Sequence, residues 1–221
     1  MKLTVFAATG GIGRLIVEQA LGAGHEVTVV ARRPSGFPER LRVVTADLAA
    51  ADPAALAAAV AGADAVLSGL GPRPISEVGI TTQGTRAIIA AMQTAKVRRL
   101  VVVSAAPVGT TPSPGNPNPP KHDPAEGFFM RHLLSPMIKM ILRKHYDDLA
   151  LMEDALRESD LAWTSVRPPR LTNGKVTGHY RTAIGQNLRG GLSVSRADVA
   201  HFMLACLAKP ETVKQAVGVA Y

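Results

Sequence analysis

Short apolar runs alternate with stretches of helical periodicity along the chain, beginning at its first residues. Residues 3–8 are apolar or β-branched and lead into a glycine-rich turn at 9–13. Apolar positions then recur at helical spacing up to Gly24, and residues 26–31 form a second apolar run. This pattern predicts a strand, a turn, a helix and a second strand, which make a right-handed βαβ unit of about 30 residues.

The alternation of strand and helix continues beyond this unit. Strands are predicted at 41–46, 64–68 and 99–104, and helices at 53–61 and 81–95. The run at 99–104 is almost entirely apolar, which is typical of a parallel strand covered on both faces. Strands that alternate with helices indicate a parallel sheet, so the predicted fold is α/β, a Rossmann-like doubly wound sheet in a single domain.

Residues 105–126 break this rhythm, because prolines recur there among Gly, Ser, Thr and Asn. Loops longer than about 12–15 residues in a compact domain are usually functional or disordered. This loop leaves the carboxyl end of a predicted parallel strand, where such folds bind ligands. A mobile lid is the preferred interpretation, and a plain surface excursion is the alternative.

The second half of the chain repeats the pattern less clearly. Helical segments are predicted at 128–143 and 146–159, and strands at 161–166 and 216–221. Ser135 and Pro136 interrupt the first helical segment. Pro168 and Pro169 stop the strand that precedes them, and Ser195 is predicted to begin a helix. These elements are too few for a second domain, so residues 1–221 are expected to form one.

Length and composition favour a folded protein. With 221 residues, 47% of them hydrophobic, the chain has enough aliphatic surface for a core, which excludes wholesale disorder. The single cysteine, Cys206, cannot form an internal disulfide and is expected to be a buried thiol in a reducing compartment. No segment has the pattern of a membrane span or a signal peptide, so we expect a cytoplasmic protein.

The net charge of +8 suits an acidic partner, such as a phosphorylated cofactor, nucleic acid or an anionic membrane. Nucleic acid is not expected, because the basic residues lack a recognition motif or an aromatic stacking platform. The segments at 128–134 and 139–144 could form a surface that docks on a membrane or on a partner protein. We favour the alternative, in which their side chains make core or dimer contacts. We expect a monomer or a homodimer.

The glycine turn after the first strand has the spacing of a phosphate-binding turn. Gly10 lets the backbone approach a pyrophosphate, Gly13 lets the helix pack closely on the strand, and the helix amides face the anion. Ala7 replaces the first glycine that is usual in such turns. A glycine turn without a ligand is the alternative. The candidate cofactor-binding residues of this turn are Thr9, Gly10, Gly11, Ile12 and Gly13.

Two arginines, Arg32 and Arg33, follow the second predicted strand. An NAD-preferring site would place Asp or Glu there, against the ribose hydroxyl. Guanidinium groups instead pair with phosphate and stack on adenine. These residues therefore predict NADP(H) in preference to NAD(H), unless one or both simply face the solvent.

Motifs spread over nearly the whole chain are similar to those of one protein family. Besides the glycine turn, they are Ala46-Asp47-Leu48, Gln83-Gly84-Thr85-Arg86, Leu156-Arg157-Glu158-Ser159, Val166-Arg167-Pro168-Pro169 and the segment at 198–204. With these motifs the chain resembles the atypical short-chain dehydrogenase/reductase group. The resemblance is to its small NAD(P)-binding proteins, which include NmrA-like proteins and biliverdin-IXβ reductase/flavin reductase.

This resemblance implies roles for residues at the ends of several strands. It implies that Asp47 and Leu48 flank the adenine. It implies that Ser68, Gly69 and Leu70 lie along the ribose and pyrophosphate, and that Ser104, Pro168 and Pro169 border the nicotinamide. From the residues alone, Asp47 is equally a helix N-cap and Ser68 a loop hydroxyl. No metal site is predicted.

The chain departs from the Tyr-x-x-x-Lys pair with which most short-chain dehydrogenases protonate a carbonyl group. Tyr146 is followed four residues later by Ala150. Counting back from the motif at 156–159 places Leu149 and Glu153 at the Tyr and Lys positions. Leu149 also stands where the resemblance to biliverdin-IXβ reductase would place a histidine, which makes biliverdin a doubtful substrate.

Ser104 and Tyr146 are the candidate catalytic residues. Ser104 can bond the acceptor or the nicotinamide carboxamide, or simply finish its strand. Tyr146 and the adjacent His145 can supply a proton, or they can be ordinary helix-start residues. Arg170 can meet an anionic acceptor or face the solvent.

These features favour an NADPH-dependent oxidoreductase that transfers hydride to a small, planar conjugated acceptor, such as a flavin or a quinone. Hydride transfer needs an oriented and dry pocket. An acceptor whose reduced anion is delocalised needs no strong internal acid. The alternative is a non-catalytic NADP(H)-binding sensor of the NmrA-like type, in which cofactor occupancy repositions the proline-rich loop.

Overall fold

Alternating apolar strands and amphipathic helices build one large sheet covered by helices on both faces. The computed structural model describes residues 1–38, 41–50, 52–71, 79–123 and 135–221. Its strands are β1 (Lys2–Phe6), β2 (Glu26–Ala31), β3 (Arg42–Thr45), β4 (Ala65–Ser68), β5 (Arg99–Val103), β6 (Ala162–Arg167), β7 (Arg170–Thr172), β8 (Arg181–Ile184), β9 (Ser193–Ser195) and β10 (Gln215–Ala220). Its helices are α1 (Gly11–Gly22), α2 (Pro53–Val60), α3 (Ile80–Thr94), α4 (Ser135–Glu158) and α5 (Arg196–Ala205).

The large sheet has the strand order β3-β2-β1-β4-β5-β6-β10-β8. Neighbouring strands are parallel except β8, which pairs antiparallel with β10 and places Ile184 opposite Val217. β7 and β9 form a separate small parallel sheet. The chain order reverses between β1 and β4, so the carboxyl ends of these strands border the crevice in which doubly wound folds bind ligands. The predicted Rossmann-like α/β fold is confirmed.

Each face of the large sheet has its own core. α1 and α5 cover one face, where Val5 of β1 belongs to the same buried cluster as Ile16 and Phe202. α2, α3 and α4 cover the other face, where Phe6 belongs to a cluster with Met92. Successive residues of β1 therefore point to opposite faces, and both are buried because helices cover both sides of the strand.

Most strands and helices predicted in the first half of the chain are confirmed to within a few residues. The short strands β7, β8 and β9 are missing from the prediction. Each has three or four residues, which is too short for an alternation of apolar and polar positions to be recognised. Ser195 begins α5 as predicted, and its hydroxyl accepts a hydrogen bond from the backbone N–H of Asp198.

α4 corrects the prediction for the segment before β6. One helix runs over Ser135–Glu158, where a break between residues 143 and 146 was predicted. The described helix starts at Ser135, and Pro136 lies in its first turn, where proline is well tolerated. Residues 128–134 of the predicted basic segment lie outside the described residues. Neither α4 nor any other helix in the described ranges is long and apolar enough to cross a membrane.

The proline-rich loop after β5 is described as far as Asp123. It opens with a short 3-10 helix, Ala106–Thr110. Ser113 Oγ and Gly115 N then donate hydrogen bonds to the buried Asp154 carboxylate of α4, at 3.0 and 2.9 Å. Residues 124–126 lie outside the described residues, and the movement of this loop as a lid stays a prediction.

Cys206 lies just after α5, in a short 3-10 helix, Cys206–Ala208. Its side chain is fully buried, which confirms the predicted buried thiol. Burial raises the pKa of the Cys206 thiol to about 11, so the sulfur stays protonated and unreactive at neutral pH.

Candidate functional site

The turn between β1 and α1 presents backbone amides at the edge of the large sheet. Ala7 has a φ of 52°, a left-handed conformation that is strained for alanine and explains why glycine is usual at this position. Its carbonyl accepts a hydrogen bond from Gly10 N at 2.9 Å, and Gly10 is the N-cap of α1. α1 has no side-chain cap and no acidic residue in its first turn, so nothing within the helix competes with an anion for its positive end.

The ends of β1 and β4 meet the start of α1 without side chains between them. A Cβ atom on Gly13 would lie 2.3 Å from the Ala7 carbonyl oxygen. A Cβ atom on Gly69, which follows β4, would lie 2.8 Å from the Gly13 nitrogen. Both distances are too short for real side chains, so these positions require glycine. The result is a cradle of main-chain atoms around Gly13 and Gly69, here called the glycine cradle, at the point where the strand order reverses.

The residues predicted from the glycine spacing have different environments. Thr9 and Gly10 are half-buried and Gly11 is exposed, so these three line the outer side of the turn. Gly13 is buried by its close packing on β1. Ile12 is buried in the core beneath the turn, where it packs with the strands and helices of the α1 face. Ile12 therefore supports the turn from below, and the contacts of the four other residues with a cofactor stay a prediction.

Leu48 and Leu70 are brought together over Gly84 of α3. A Cβ atom on Gly84 would lie 2.6 Å from Leu70 Cδ2 and 3.2 Å from Leu48 Cδ1. Both leucine side chains are half-buried, so they form an apolar wall beyond the ends of β3 and β4. This Leu48–Leu70 wall suits a flat, apolar group such as a nucleotide base.

Asp47 and Ser68 close turns beside this wall. Asp47 accepts a hydrogen bond from Ala49 N at 3.1 Å. The N-cap of α2 is Asp52, so the alternative role of Asp47 as a helix N-cap is wrong. Ser68 is buried, and its hydroxyl accepts a hydrogen bond from Leu70 N at 3.3 Å. Both residues therefore hold the backbone that carries the leucines, and their contacts with a cofactor stay a prediction.

Three arginines surround the loop after β2. Arg32 and Arg33 follow that strand directly, and both side chains are exposed. Arg14 reaches the same loop from the first turn of α1: Nη2 donates to the Ser35 carbonyl at 3.2 Å, and the guanidinium lies 5.8 Å from the centre of the Phe37 ring. Because β2 is hydrogen-bonded to β1, this cluster lies beside the glycine turn. Sequence reasoning missed Arg14, because its position after the last glycine does not show that its side chain reaches the loop after β2.

Ser104 and Pro168 lie on neighbouring segments at the ends of β5 and β6. Ser104 N donates a hydrogen bond to the Val166 carbonyl at 2.7 Å, and Ala106 N donates to the Pro168 carbonyl at 2.9 Å. Pro168 is buried and Pro169 is half-buried. The fold thus brings together the three residues that the resemblance assigns to the nicotinamide.

Glu153 of α4 is a buried anion beside Ser104. Its carboxylate accepts hydrogen bonds from Arg167 Nε at 2.8 Å and from Arg167 Nη2, from Ser165 Oγ at 2.8 Å and from Arg157 Nη2 at 3.0 Å. Burial alone would raise the pKa of Glu153, but Arg167 and the hydroxyls of Ser165 and Ser104 hold it below its ordinary value. Glu153 is therefore a structural anion and not a proton donor. Ser104 Oγ is itself buried without a well-formed hydrogen bond.

The other candidate acid–base residues lie on α4 and β7. Tyr146 is half-buried against the core, and burial raises the pKa of its phenol. Its hydroxyl is not hydrogen-bonded to the Ser104 hydroxyl. Leu149, at the Tyr position, is buried in the same core. His145 is half-buried, and Arg170 is exposed at the start of β7.

The arrangement has the parts that a dinucleotide requires. The glycine cradle and the positive end of α1 suit a pyrophosphate, and the arginines after β2 suit a further phosphate group. At the other end of the crevice, Ser104 and Pro168 stand on neighbouring strand ends, where the resemblance places the nicotinamide. The residues present therefore fit a nicotinamide dinucleotide.

Known proteins resemble this chain over its whole length. YwnB, an uncharacterized protein from Bacillus subtilis (strain 168), is 26% identical over 226 residues that cover 96% of this chain and 94% of YwnB. A short-chain dehydrogenase/reductase from Veillonella parvula DSM 2008, solved in complex with NADP, has a TM-score of 0.76 at 19% identity, and the match covers 100% of this chain and 94% of that one. ChuY, an anaerobilin reductase from Escherichia coli O157:H7, has a TM-score of 0.76 at 21% identity, with 100% and 97% covered.

The two solved structures share the fold of this chain, and a family model identifies its sequence. That model is described as NAD(P)H-binding, and it matches residues 7–210. The match begins at Ala7 in the glycine turn and includes every residue of the candidate site. Because it spans most of the chain, the protein belongs to the NAD(P)H-binding family.

Proposed function

We propose that this protein is an NADPH-dependent oxidoreductase that transfers hydride to a small, planar conjugated acceptor such as a flavin or a quinone. When bound, the reduced nicotinamide supplies the hydride. The chain itself supplies a rigid binding edge, which consists of the glycine cradle, the Leu48–Leu70 wall and the strand ends at Ser104 and Pro168. A rigid edge of this kind orients the two reactants, which is the main requirement of hydride transfer.

The observation that carries this proposal is the chemistry of Leu149 and Glu153 on α4. Leu149 is buried and apolar, and Glu153 is held as an anion by Arg167. Neither side chain can protonate an alkoxide as it forms, which the reduction of a simple carbonyl requires. A flavin or a quinone spreads the added electrons over a conjugated system and takes its proton from water. The site therefore favours a conjugated acceptor.

The arginines after β2 support NADPH as the preferred cofactor. Arg32 and Arg33 stand where an NADH-preferring protein would hold a carboxylate. The contact of Arg14 with the Ser35 carbonyl turns a third guanidinium toward the same loop. A phosphate on the adenosine ribose would find charge-assisted hydrogen bonds here. The fold likeness to a structure that holds NADP is consistent with this preference, and the likeness to an anaerobilin reductase is consistent with a reductase.

Acceptor-dependent oxidation of NADPH tests the proposal. The purified protein is mixed with NADPH and, in separate reactions, with FMN, FAD and a water-soluble quinone, and the loss of NADPH absorbance is followed. We expect at least one acceptor to give oxidation in proportion to the protein concentration. Ser104→Ala is expected to slow this reaction, because Ser104 lies at the nicotinamide end of the site.

Arg98→Gln is the matched control for this assay. Arg98 pairs with Asp160 on the surface before β5, at the opposite edge of the sheet, and its loss should leave the rate unchanged. Binding of NADPH without oxidation by any acceptor would favour the sensor function instead. Failure to bind either NADPH or NADH would contradict the cofactor assignment itself.

A further inference from the structure

The small sheet of β7 and β9 ends beside the glycine turn. The two strands are parallel and in register, with Thr172 opposite Ser195. The next residues along each strand, Asn173 and Arg196, are therefore neighbours, and Arg196 Nη1 donates a hydrogen bond to Asn173 Oδ1 at 2.6 Å. This contact holds the Arg196 guanidinium in one place at the carboxyl edge of the small sheet.

Arg196 lies directly against the first residue of α1. A Cβ atom on Gly11 would be 3.0 Å from Arg196 Cδ and 3.2 Å from Arg196 Nε. The absence of a side chain at position 11 thus leaves room for the arginine over the start of the helix. The same helix end belongs to the glycine cradle around Gly13 and Gly69.

The charge of Arg196 has no counterpart in the part of the chain that the structure describes. Its hydrogen-bond partner is the neutral side-chain amide of Asn173. Ser195 caps the start of α5 and Asp198 lies in its first turn, so the uncapped helix end beside Arg196 is that of α1. A cation beside the positive end of α1 is stabilised when an anion binds there.

We propose that Arg196 binds the pyrophosphate of the nicotinamide dinucleotide, and that Asn173 is the residue that positions it. This inference rests on the cofactor part of the proposed function and is independent of the acceptor. The guanidinium keeps donors for a phosphate oxygen while one of its nitrogens remains on Asn173. Because NADPH and NADH share the pyrophosphate, Arg196 contributes equally to both, unlike the arginines after β2.

Dissociation constants of the Arg196→Gln variant test this inference. In titrations with NADPH and with NADH, we expect the Kd of each cofactor to rise about tenfold over the wild-type value. This is the effect of losing one charge-assisted hydrogen bond, so the factor should be the same for both cofactors. ADP should lose affinity in the same way, because it has a diphosphate. Adenosine 2′-monophosphate, which has no diphosphate, should bind as before.

Two further variants separate binding from folding. Arg196→Lys keeps the positive charge but lacks the planar guanidinium with its paired N–H donors. The Kd of each cofactor should therefore lie between those of the wild type and Arg196→Gln. Asn173→Ala keeps Arg196 but removes the hydrogen bond that positions its guanidinium, so a smaller rise in Kd is expected. Arg98→Gln removes the same charge from the opposite edge and should leave the Kd of both cofactors unchanged.

Wild-type Kd values for Arg196→Gln with both cofactors would overturn the inference and leave the cofactor assignment intact. Weakened binding of NADPH alone would also overturn it, because that result would place Arg196 at the 2′-phosphate. Should Arg196→Gln fail to fold, wild-type affinity of both Arg196→Lys and Asn173→Ala would overturn the inference. A wild-type protein that binds neither cofactor would instead contradict the proposed function.

Discussion

Arg167 binds the buried Glu153 carboxylate through two of its nitrogens, with Nε 2.8 Å from Oε1 and Nη2 on Oε2. Arg167 is the last residue of β6 and Glu153 lies on α4, so this ion pair holds the helix against the strand end beside Ser104. Ser165 adds a hydrogen bond to the same carboxylate at 2.8 Å. When one partner of a buried ion pair is removed, the other charge stays buried without compensation.

We expect Arg167→Met to lower the free energy of unfolding by up to about 3–5 kcal/mol, because the buried Glu153 carboxylate would keep only Ser165 and the partly exposed Arg157 as partners. The double variant Arg167→Met, Glu153→Gln should recover part of this loss. Urea unfolding measures both effects. Arg86→Met is the matched control: the Arg86–Glu158 pair is more than half exposed, so its loss should cost less than about 1 kcal/mol. Equal unfolding midpoints for Arg167→Met and wild type would show that the ion pair does not hold α4 in place.

Asp198 is expected to make the protein acid-sensitive. Burial alone would raise the pKa of Asp198, but hydrogen bonds from Tyr221, Gly178 and Thr177 lower it from 3.8 to about 2. The pKa of the folded state thus lies below that of the unfolded chain. The carboxylate therefore stabilises the protein fully above its ordinary pKa, and this stability is lost as the pH falls toward about 2.

The unfolding midpoint in urea should accordingly fall between about pH 4 and pH 2 for the wild type, and less steeply for Asp198→Asn. Tyr221→Phe removes the 2.6 Å hydrogen bond to Asp198 Oδ2, so it should also flatten this dependence. At pH 7 both variants should be less stable than the wild type. The same steep loss of stability in Asp198→Asn would mean that other carboxylates cause it.

Gly13 and Gly22 lie on the same helix but should respond in opposite ways to alanine. In Gly13→Ala the new methyl group would collide with the Ala7 carbonyl oxygen, whereas nothing lies within 4 Å of a Cβ atom on Gly22. Gly13→Ala should lower the unfolding temperature and weaken cofactor binding. Gly22→Ala should be neutral or stabilise by about 0.5–1 kcal/mol, because alanine is the better helix former. Thermal unfolding and NADPH titration of both variants check this contrast.

The arginines after β2 should determine the choice between the two cofactors. We expect the double variant Arg32→Ala, Arg33→Ala to bind NADPH at least about tenfold more weakly, with little change for NADH, because only NADPH has the 2′-phosphate. Arg14→Ala should change the ratio in the same direction by a smaller factor. Titrations with both cofactors measure this ratio. Equal losses for NADPH and NADH would contradict the assignment of these arginines.

The elements nearest the start of the chain could be predicted from the sequence because their signals are local. The apolar run of β1, the glycine turn and the periodicity of α1 all act between residues a few positions apart. The same holds for the N-cap at Ser195 and the proline stop after β6. For α4 the apolar periodicity was misleading, because the polar residues at 143–145 interrupt it although the helix continues through them.

Contacts between distant segments could not be predicted in this way. Arg14 was missed because its contact with Ser35 depends on how α1 crosses the end of β2. Arg196 was missed because it reaches Gly11 only once β7 and β9 have paired, and these strands are too short to be recognised. The buried anion Glu153 had no signal in the sequence beyond its spacing from the motif at 156–159.

The sequence by itself determined the type and order of most elements and the presence of a glycine turn between β1 and α1, because periodicity and backbone freedom are properties of neighbouring residues. Only the tertiary structure decided which side chains surround that turn. Strand order and helix packing place Arg14 beside it, Arg196 over it and the Arg167–Glu153 pair at the other end of the crevice. These placements depend on the pairing of segments far apart in the chain, and local patterns carry no information about such pairing.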